Sequence, residues 1–219
     1  MKEPIVHAIF PTPIYFSSLS KDFTSSELKF VDLNKKKTYK NEGNVTSEDF
    51  YVLNKKPFKR IKKELQNMVE DYFNKIIQTE DKIKPYITQS WLNFTKTSEY
   101  HHKHSHPNSL VSGVLYFDCD KNFDKIIFFK PQTDSTIVPT IKTPNYWNAS
   151  SWFFSVKTND VVLFPSTLEH MVENKQGDNL RISLAFNVFI KGAVGEERKL
   201  TKLFLWKKMN YFLKKTIIF

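Results

Sequence analysis

Between Tyr100 and Pro107 the chain reads YHHKHSHP, which puts four of its six histidines into six consecutive positions. Imidazole is a strong metal ligand that is largely neutral near pH 7, so such a cluster points to a bound ion. In an extended segment residues i and i+2 face the same side, so His104 and His106 can offer two rings to one metal. A third ligand must come from elsewhere in the fold, and the distant candidates are His7 and His170. His170 is the better one, because it follows the strand-like run VVLFPS and opens another short strand. Eleven positions later Arg181 begins the run RISLAFN. Strand alternation puts Arg181, Ser183, Ala185 and Asn187 on one side and Ile182, Leu184, Phe186 and Val188 on the other. An arginine on the small, polar side of a buried strand needs an anion, supplied by a protein carboxylate or by a ligand's carboxylate. The chemistry on offer is therefore a metal held by His104, His106 and His170, with an anion gripped by Arg181.

Those side chains need a rigid frame. From Pro57 to Ile77 apolar residues recur three and four apart, which predicts one long amphipathic helix with Pro57 in its first turn. Beyond it the period changes to short runs rich in β-branched and aromatic residues, at 87–95, 110–117, 125–129, 152–156, 161–164, 170–173 and 181–190. Seven short strands after one helix predict a mainly β fold, a sandwich or barrel with bracing helices. Ala8 to Ser17, punctuated by Pro11 and Pro13, fits an edge strand that opens the domain. The polar stretch 18–55 reads as a surface excursion and 130–151 as a long lid or binding loop. Residues 1–195 form one domain on this reading. The segment 196–219 follows as a basic amphipathic helix docked on that domain, with homodimer contact as its second role.

Composition narrows the class. The 219 residues include 20 Phe, 9 Tyr and 4 Trp, enough to fill a sizeable core, which argues against disorder. The formal charge is +10, with lysine spread along the chain, so a solvated basic face and attraction to an acidic partner rank ahead of nucleic-acid binding. A single cysteine, Cys119, excludes an internal disulfide and favours a reducing compartment. No window reaches the roughly 18 apolar residues of a membrane helix. The expected setting is cytoplasmic, in a bacterium or a virus-infected cell.

Taken in order, H-S-H-P-N-S-L-V-S-G-V-L-Y, V-L-F-P-S-x-x-x-H and R-I-S-L-A-F-N resemble motifs of the 2-oxoglutarate and Fe(II)-dependent oxygenases. The likeness is to bacterial and phage-type members related to prolyl 4-hydroxylases, and the N-terminal F-P-T-P-I-Y fits the same group. The resemblance implies a double-stranded β-helix, a cupin-like jelly-roll barrel. It also implies Fe(II), with 2-oxoglutarate and O2 consumed as succinate and CO2 form and a substrate C–H bond is hydroxylated. Carried over residue by residue, His104 and His170 match the iron histidines. Arg181 and Ser183 match the pair that grips the distal carboxylate of 2-oxoglutarate, and Tyr116 matches a tyrosine that hydrogen-bonds it. Asn93, on the polar side of W-L-N-F, either bonds the cosubstrate or satisfies a backbone group. The superfamily's usual acid two residues after the first histidine is His106 here, a variant ligand set that the resemblance implies is shared, as the H-x-H-P pattern, by the most similar group of oxygenases. The function implied is hydroxylation of a peptide or protein residue, with proline as the target. Two alternatives stand beside it: a three-histidine zinc hydrolase or hydratase, and a metal-free binding barrel.

Overall fold

The computed structural model describes residues 3–131, 137, 139–198 and 201–205. In chain order the elements are β1 (Tyr15–Ser18), α1 (Ser25–Lys35), β2 (Thr38–Lys40), β3 (Val45–Ser47), α2 (Lys59–Tyr72), β4 (Ile83–Thr95), β5 (His101–His104) and β6 (Val111–Asp118). There follow β7 (Lys125–Phe129), β8 (Ser151–Ser155), β9 (Asp160–Pro165), β10 (His170–Val172), β11 (Arg181–Val194) and β12 (Leu203–Leu205). The helix expected over 57–77 is α2 together with a 3-10 turn before it, which contains Pro57, and a π turn after it over Phe73–Ile77. Its buried stripe is Ile61, Leu65, Val69 and Tyr72. Each of these side chains contributes roughly 1.5–3 kcal/mol by leaving water.

The strands form two antiparallel sheets. The larger runs β1-β9-β6-β11-β4-β3-β2, with β12 on the far end of β11, and the smaller runs β5-β10-β7-β8. Neighbours in space are far apart in sequence, as closure of a jelly roll demands. The larger sheet has a different core on each face. Leu92, Phe94, Leu115, Phe117, Leu184 and Phe186 pack with α2 on the outside. Val114, Tyr116, Val162 and Phe164 meet Ile126, Phe128 and Leu168 between the sheets. The alternation read from RISLAFN is thus realised: Ile182, Leu184, Phe186 and Val188 join the helix side. Gly113 is the cross-strand partner of Phe186, and a Cβ there would overlap the Phe186 ring. Glycine is needed because the ring lies flat across the neighbouring strand.

Three expectations are corrected. The stretch 18–55 is not a plain excursion, since it holds α1 and the hairpin β2–β3, which extends the larger sheet through β3–β4 pairing. Few residues of α1 are buried, Glu27 and Val31, so apolar periodicity gives no signal. What makes the helix is the box Thr24-Ser-Ser-Glu27, in which each side chain bonds the other's backbone N–H. Glu27 then receives two hydrogen bonds from Arg60 of α2, at 2.8 and 3.0 Å. The second correction is that the opening edge strand begins at Tyr15, past Pro11 and Pro13, which lack the N–H that a ladder needs. The third concerns 196–219: Leu203–Leu205 is a strand paired with Gly192–Val194 of β11, because the overhanging end of β11 leaves backbone groups to satisfy. Residues 199–200 and 206–219 lie outside the described residues.

Candidate functional site

β5 and β10 are neighbours in the smaller sheet, and His170 is the direct cross-strand partner of His104. The chain leaves the strand at Ser105, and the His106 N–H bonds Ser166 O at 2.9 Å. His104 donates from Nδ1 to His102 O at 2.8 Å and His170 from Nδ1 to Leu168 O at 3.1 Å. Each of these bonds fixes the ring and leaves its Nε2 free to ligate. His106 Nε2 lies 3.3 Å from His170 Nε2, and one ligand atom from each of the three rings falls within 4.8 Å of the others. The 3.3 Å spacing suits two nitrogens on one ion at bonds of about 2.0–2.1 Å. Trp91 stacks on the His106 ring, with centroids 5.8 Å apart.

Burial sets the protonation state. It pushes His170 down to about 3 and His106 down to about 4, with the neighbouring imidazoles adding to the effect, and it lowers His104 as well. The rings are therefore neutral and ready to ligate through the whole physiological range. His7 is exposed and takes no part.

Across the cavity from the histidines lies Arg181, 3 % exposed. Its guanidinium rests over the Tyr116 ring at 5.3 Å and donates to Lys125 O at 3.2 Å. Among the described residues no carboxylate pairs with it. The Tyr116 hydroxyl and Asn93 Oδ1 are buried without hydrogen-bond partners. Burial pushes the Tyr116 hydroxyl far up, so it stays protonated and remains a donor. Ser183 and Ala185 line the same cavity. The register explains the grouping, since Ser183 pairs with Asn93 on one side and Tyr116 on the other. A buried cation with no carboxylate partner among the described residues and an orphan hydroxyl donor around one cavity form a cradle for a carboxylate.

Two parts of the site escaped the sequence reading. His101 and His102 lie on strand β5, and the His101 ring stacks on His104 with centroids 4.6 Å apart. Asn41 from the β2–β3 turn reaches His101 Nε2 at 3.3 Å, and Tyr100 N bonds Gly43 O at 3.0 Å, so the polar hairpin docks on the site's rim. The second part is a serine chain, in which Ser109, Ser166 and Ser112 link hydroxyl to hydroxyl at 2.8 Å and end at Asn187 Oδ1, 3.2 Å on. Asn187 sits beside the His106 ring. Three serines flanking the histidine motifs were the available signal, but sequence alone does not show that they meet.

Residues 89–187 match the model of a family described as "Putative 2OG-Fe(II) oxygenase". Over that stretch, which is less than half of the chain, the sequence is similar to that family. The chain resembles several solved structures in fold. HygX from Streptomyces hygroscopicus, solved with nickel, 2-oxoglutarate and hygromycin B, has a TM-score of 0.54 at 12% identity, covering 81% of this chain and 82% of that one. The epimerase SnoN from nogalamycin biosynthesis gives 0.57 at 9% over 84% and 82%. A prolyl hydroxylase from Trichoplax adhaerens, in complex with a peptide fragment of hypoxia inducible factor, gives 0.51 at 11% over 80% and 83%. Such identities speak for the double-stranded β-helix alone. A search of curated proteins gave no match. No helix among the described residues is long and apolar enough to cross a membrane.

Proposed function

We propose that the chain uses Fe(II) and 2-oxoglutarate to hydroxylate a peptide or protein residue, with proline as the target. One observation carries the reading: three neutral imidazoles converge within 4.8 Å in a cavity that also holds a buried arginine, and no carboxylate among the described residues pairs with that arginine. A metal site alone requires no such cation, whereas a dicarboxylate spanning the two poles does.

The residues fit the group. His104, His106 and His170 would hold the iron, each with Nε2 free. Arg181 would take the distal carboxylate of 2-oxoglutarate, with the Tyr116 hydroxyl and the Asn93 amide as further partners and Ser183 beside them. When bound, iron and 2-oxoglutarate supply the oxidation: O2 and the 2-oxoacid become succinate and CO2, and one oxygen atom enters a substrate C–H bond. The chain's own part is positioning and exclusion. Bonds to Leu168 O and His102 O hold the rings, Trp91 covers His106, and Val114, Ile126 and Phe164 keep the cavity walls dry.

A groove of about 680 Å3 supports the peptide reading. It is lined by Phe10, Tyr146, Trp147 and Trp152 and includes Phe128, whose ring packs near His170. Aromatic grooves of this kind suit extended, proline-containing chains, whose stiff backbone loses little entropy on binding. The test is anaerobic titration of the metal-free protein with Fe(II) and then 2-oxoglutarate, watching for the visible charge-transfer band of a chelated 2-oxoacid. A band saturating at one equivalent supports the oxygenase and justifies a screen of proline peptides. Metal bound without the band would favour the zinc hydrolase alternative, and no metal at all would favour the binding barrel.

A further inference from the structure

Lysine is spread along the sequence, but the fold gathers part of it. Between Lys35 and Lys63 ten lysines and arginines stand against three acids, Glu42, Glu48 and Asp49, a net of +7 out of the chain's +10. Two runs supply them, KKKTYK at 35–40 and KKPFKRIKK at 55–63. The ion pair of Arg60 with Glu27, and the Phe30 ring on Phe58 at 4.8 Å, lay the start of α2 against α1. Glu48 N donates to Lys37 O at 3.1 Å and Lys55 pairs with Asp49 at 2.9 Å, so the two runs meet at the C-terminal end of α1. Arg60 and Lys55 are thereby engaged within the protein, and Lys62 donates to Asn54. Lys35, Lys36, Lys37, Lys40, Lys56, Lys59 and Lys63 are exposed, and no carboxylate among the described residues pairs with them. The carbonyls ending α1 account for one or two nearby cations. Seven unpaired lysines exceed that and repel one another, a strain that a polyanion relieves.

Aromatic side chains stand among them. Tyr39 is 64 % exposed, Tyr51 49 % and Phe50 39 %. Rings left in water beside unpaired ammonium groups are the two components of a surface for single-stranded nucleic acid, since the cations meet phosphates and the rings stack on bases. An acidic protein would call on the lysines alone. Phe50 lies against Trp91, with centroids 6.1 Å apart, and Asn41 bonds His101, so this face borders the cavity of the histidines. We propose that the face formed by the end of α1, β2 and the start of α2 binds single-stranded nucleic acid, with its lysines on phosphates and Tyr39 and Tyr51 on bases. Lysine presents point charges and no planar fork for reading base edges, so the binding is independent of sequence. The site uses no residue of the cavity and stands apart from the oxygenase reading.

The test titrates the full chain into a labelled oligo-dT of about 20 nucleotides at fixed low salt and follows fluorescence anisotropy. The wild type should bind saturably. Joint replacement Lys36→Gln, Lys37→Gln, Lys56→Gln and Lys59→Gln should weaken binding at least tenfold, and the slope of log affinity against log salt should shrink by about 0.7 for each lysine lost from a phosphate. A control with Lys82→Gln, Lys121→Gln, Lys142→Gln and Lys157→Gln removes the same charge from exposed lysines elsewhere and should bind nearly as the wild type does. Tyr39→Ala with Tyr51→Ala should weaken the oligonucleotide by about fivefold or more and leave competition by poly-glutamate unchanged. Should the four-lysine variant fail to fold by circular dichroism, Lys36→Gln with Lys56→Gln replaces it, with half the change in slope. No binding by the wild type, or equal weakening in the two lysine variants, overturns the inference. So does unaltered binding in the tyrosine pair together with displacement by poly-glutamate of matched charge, which would point to an acidic protein instead. None of these results bears on the Fe(II) and 2-oxoglutarate titration, so the two readings fail separately.

Discussion

At the scale of single residues, the two poles of the cavity are chemically separate and so should fail separately. His170→Ala removes a buried candidate ligand held by Leu168 O, and metal binding measured by calorimetry should fall by at least tenfold with loss of turnover. Arg181→Ala should leave metal affinity within about threefold of wild type and weaken 2-oxoglutarate by at least 30-fold, about 2 kcal/mol, the lower range for truncating one partner of a buried charge pair. Equal losses of metal and 2-oxoglutarate in Arg181→Ala would count against the role given to Arg181. His106→Ala decides whether the departure from the family's acid is a ligand at all, and unchanged metal affinity there would remove it from the set. Tyr116→Phe keeps the ring under the guanidinium and loses only the orphan hydroxyl, so 2-oxoglutarate should weaken by roughly 1 kcal/mol.

At the scale of elements, the strands that carry the site depend on packing on their outer face. Gly113 lies on β6, three residues before Tyr116, and the Phe186 ring covers it from β11, three residues past Ser183. Gly113→Ala should cost about 1–3 kcal/mol by overpacking, read as a lower midpoint in urea denaturation. Its loss of 2-oxoglutarate affinity should exceed its loss of metal affinity, because β6 and β11 carry the anion pole. Thr24→Ala breaks the capping box of α1 and should cost about 1 kcal/mol of stability with both ligand affinities unchanged, since α1 lies on the helix side of the larger sheet.

At the scale of the whole molecule, burial of the histidine cluster links stability to pH. The folded chain keeps His170 neutral down to about 3 and His106 down to about 4, whereas an unfolded chain protonates both near the ordinary value of 6.5. Within that window the unfolded state binds more protons, so the metal-free protein should lose stability steadily as pH falls from about 6.5 toward 4. Metal affinity should stay nearly flat between pH 7 and 5, because the folded rings have no protons to release. A steep loss of metal below pH 6.5 in the folded protein would show that the rings are solvated and the barrel is open.

The sequence by itself determined the parts whose signal is local. Period 3.6 marked α2 and period 2 marked both faces of β11, because backbone geometry alone dictates which side chains share a face, and the spacing of His104 and His106 singled out two rings that come together in the candidate site. It also ranked His170 over His7 as the third ring, since only the former opens a strand. Tertiary structure decided the rest, because the deciding contacts join residues 56 to 66 positions apart. Only closure of the two sheets sets His170 against His104 and ties Arg181 to Lys125 O, and only the hairpin's docking gives Asn41 a partner in His101. The helix α1 was hidden for a different reason: a capping box and a buried ion pair stabilise it, and neither leaves an apolar rhythm in the sequence. That no carboxylate among the described residues pairs with Arg181 is likewise a fact of three dimensions, since 23 acids are available in the chain and Asp124 and Glu173, which line a groove with Arg181, pair with Lys175 and Lys125.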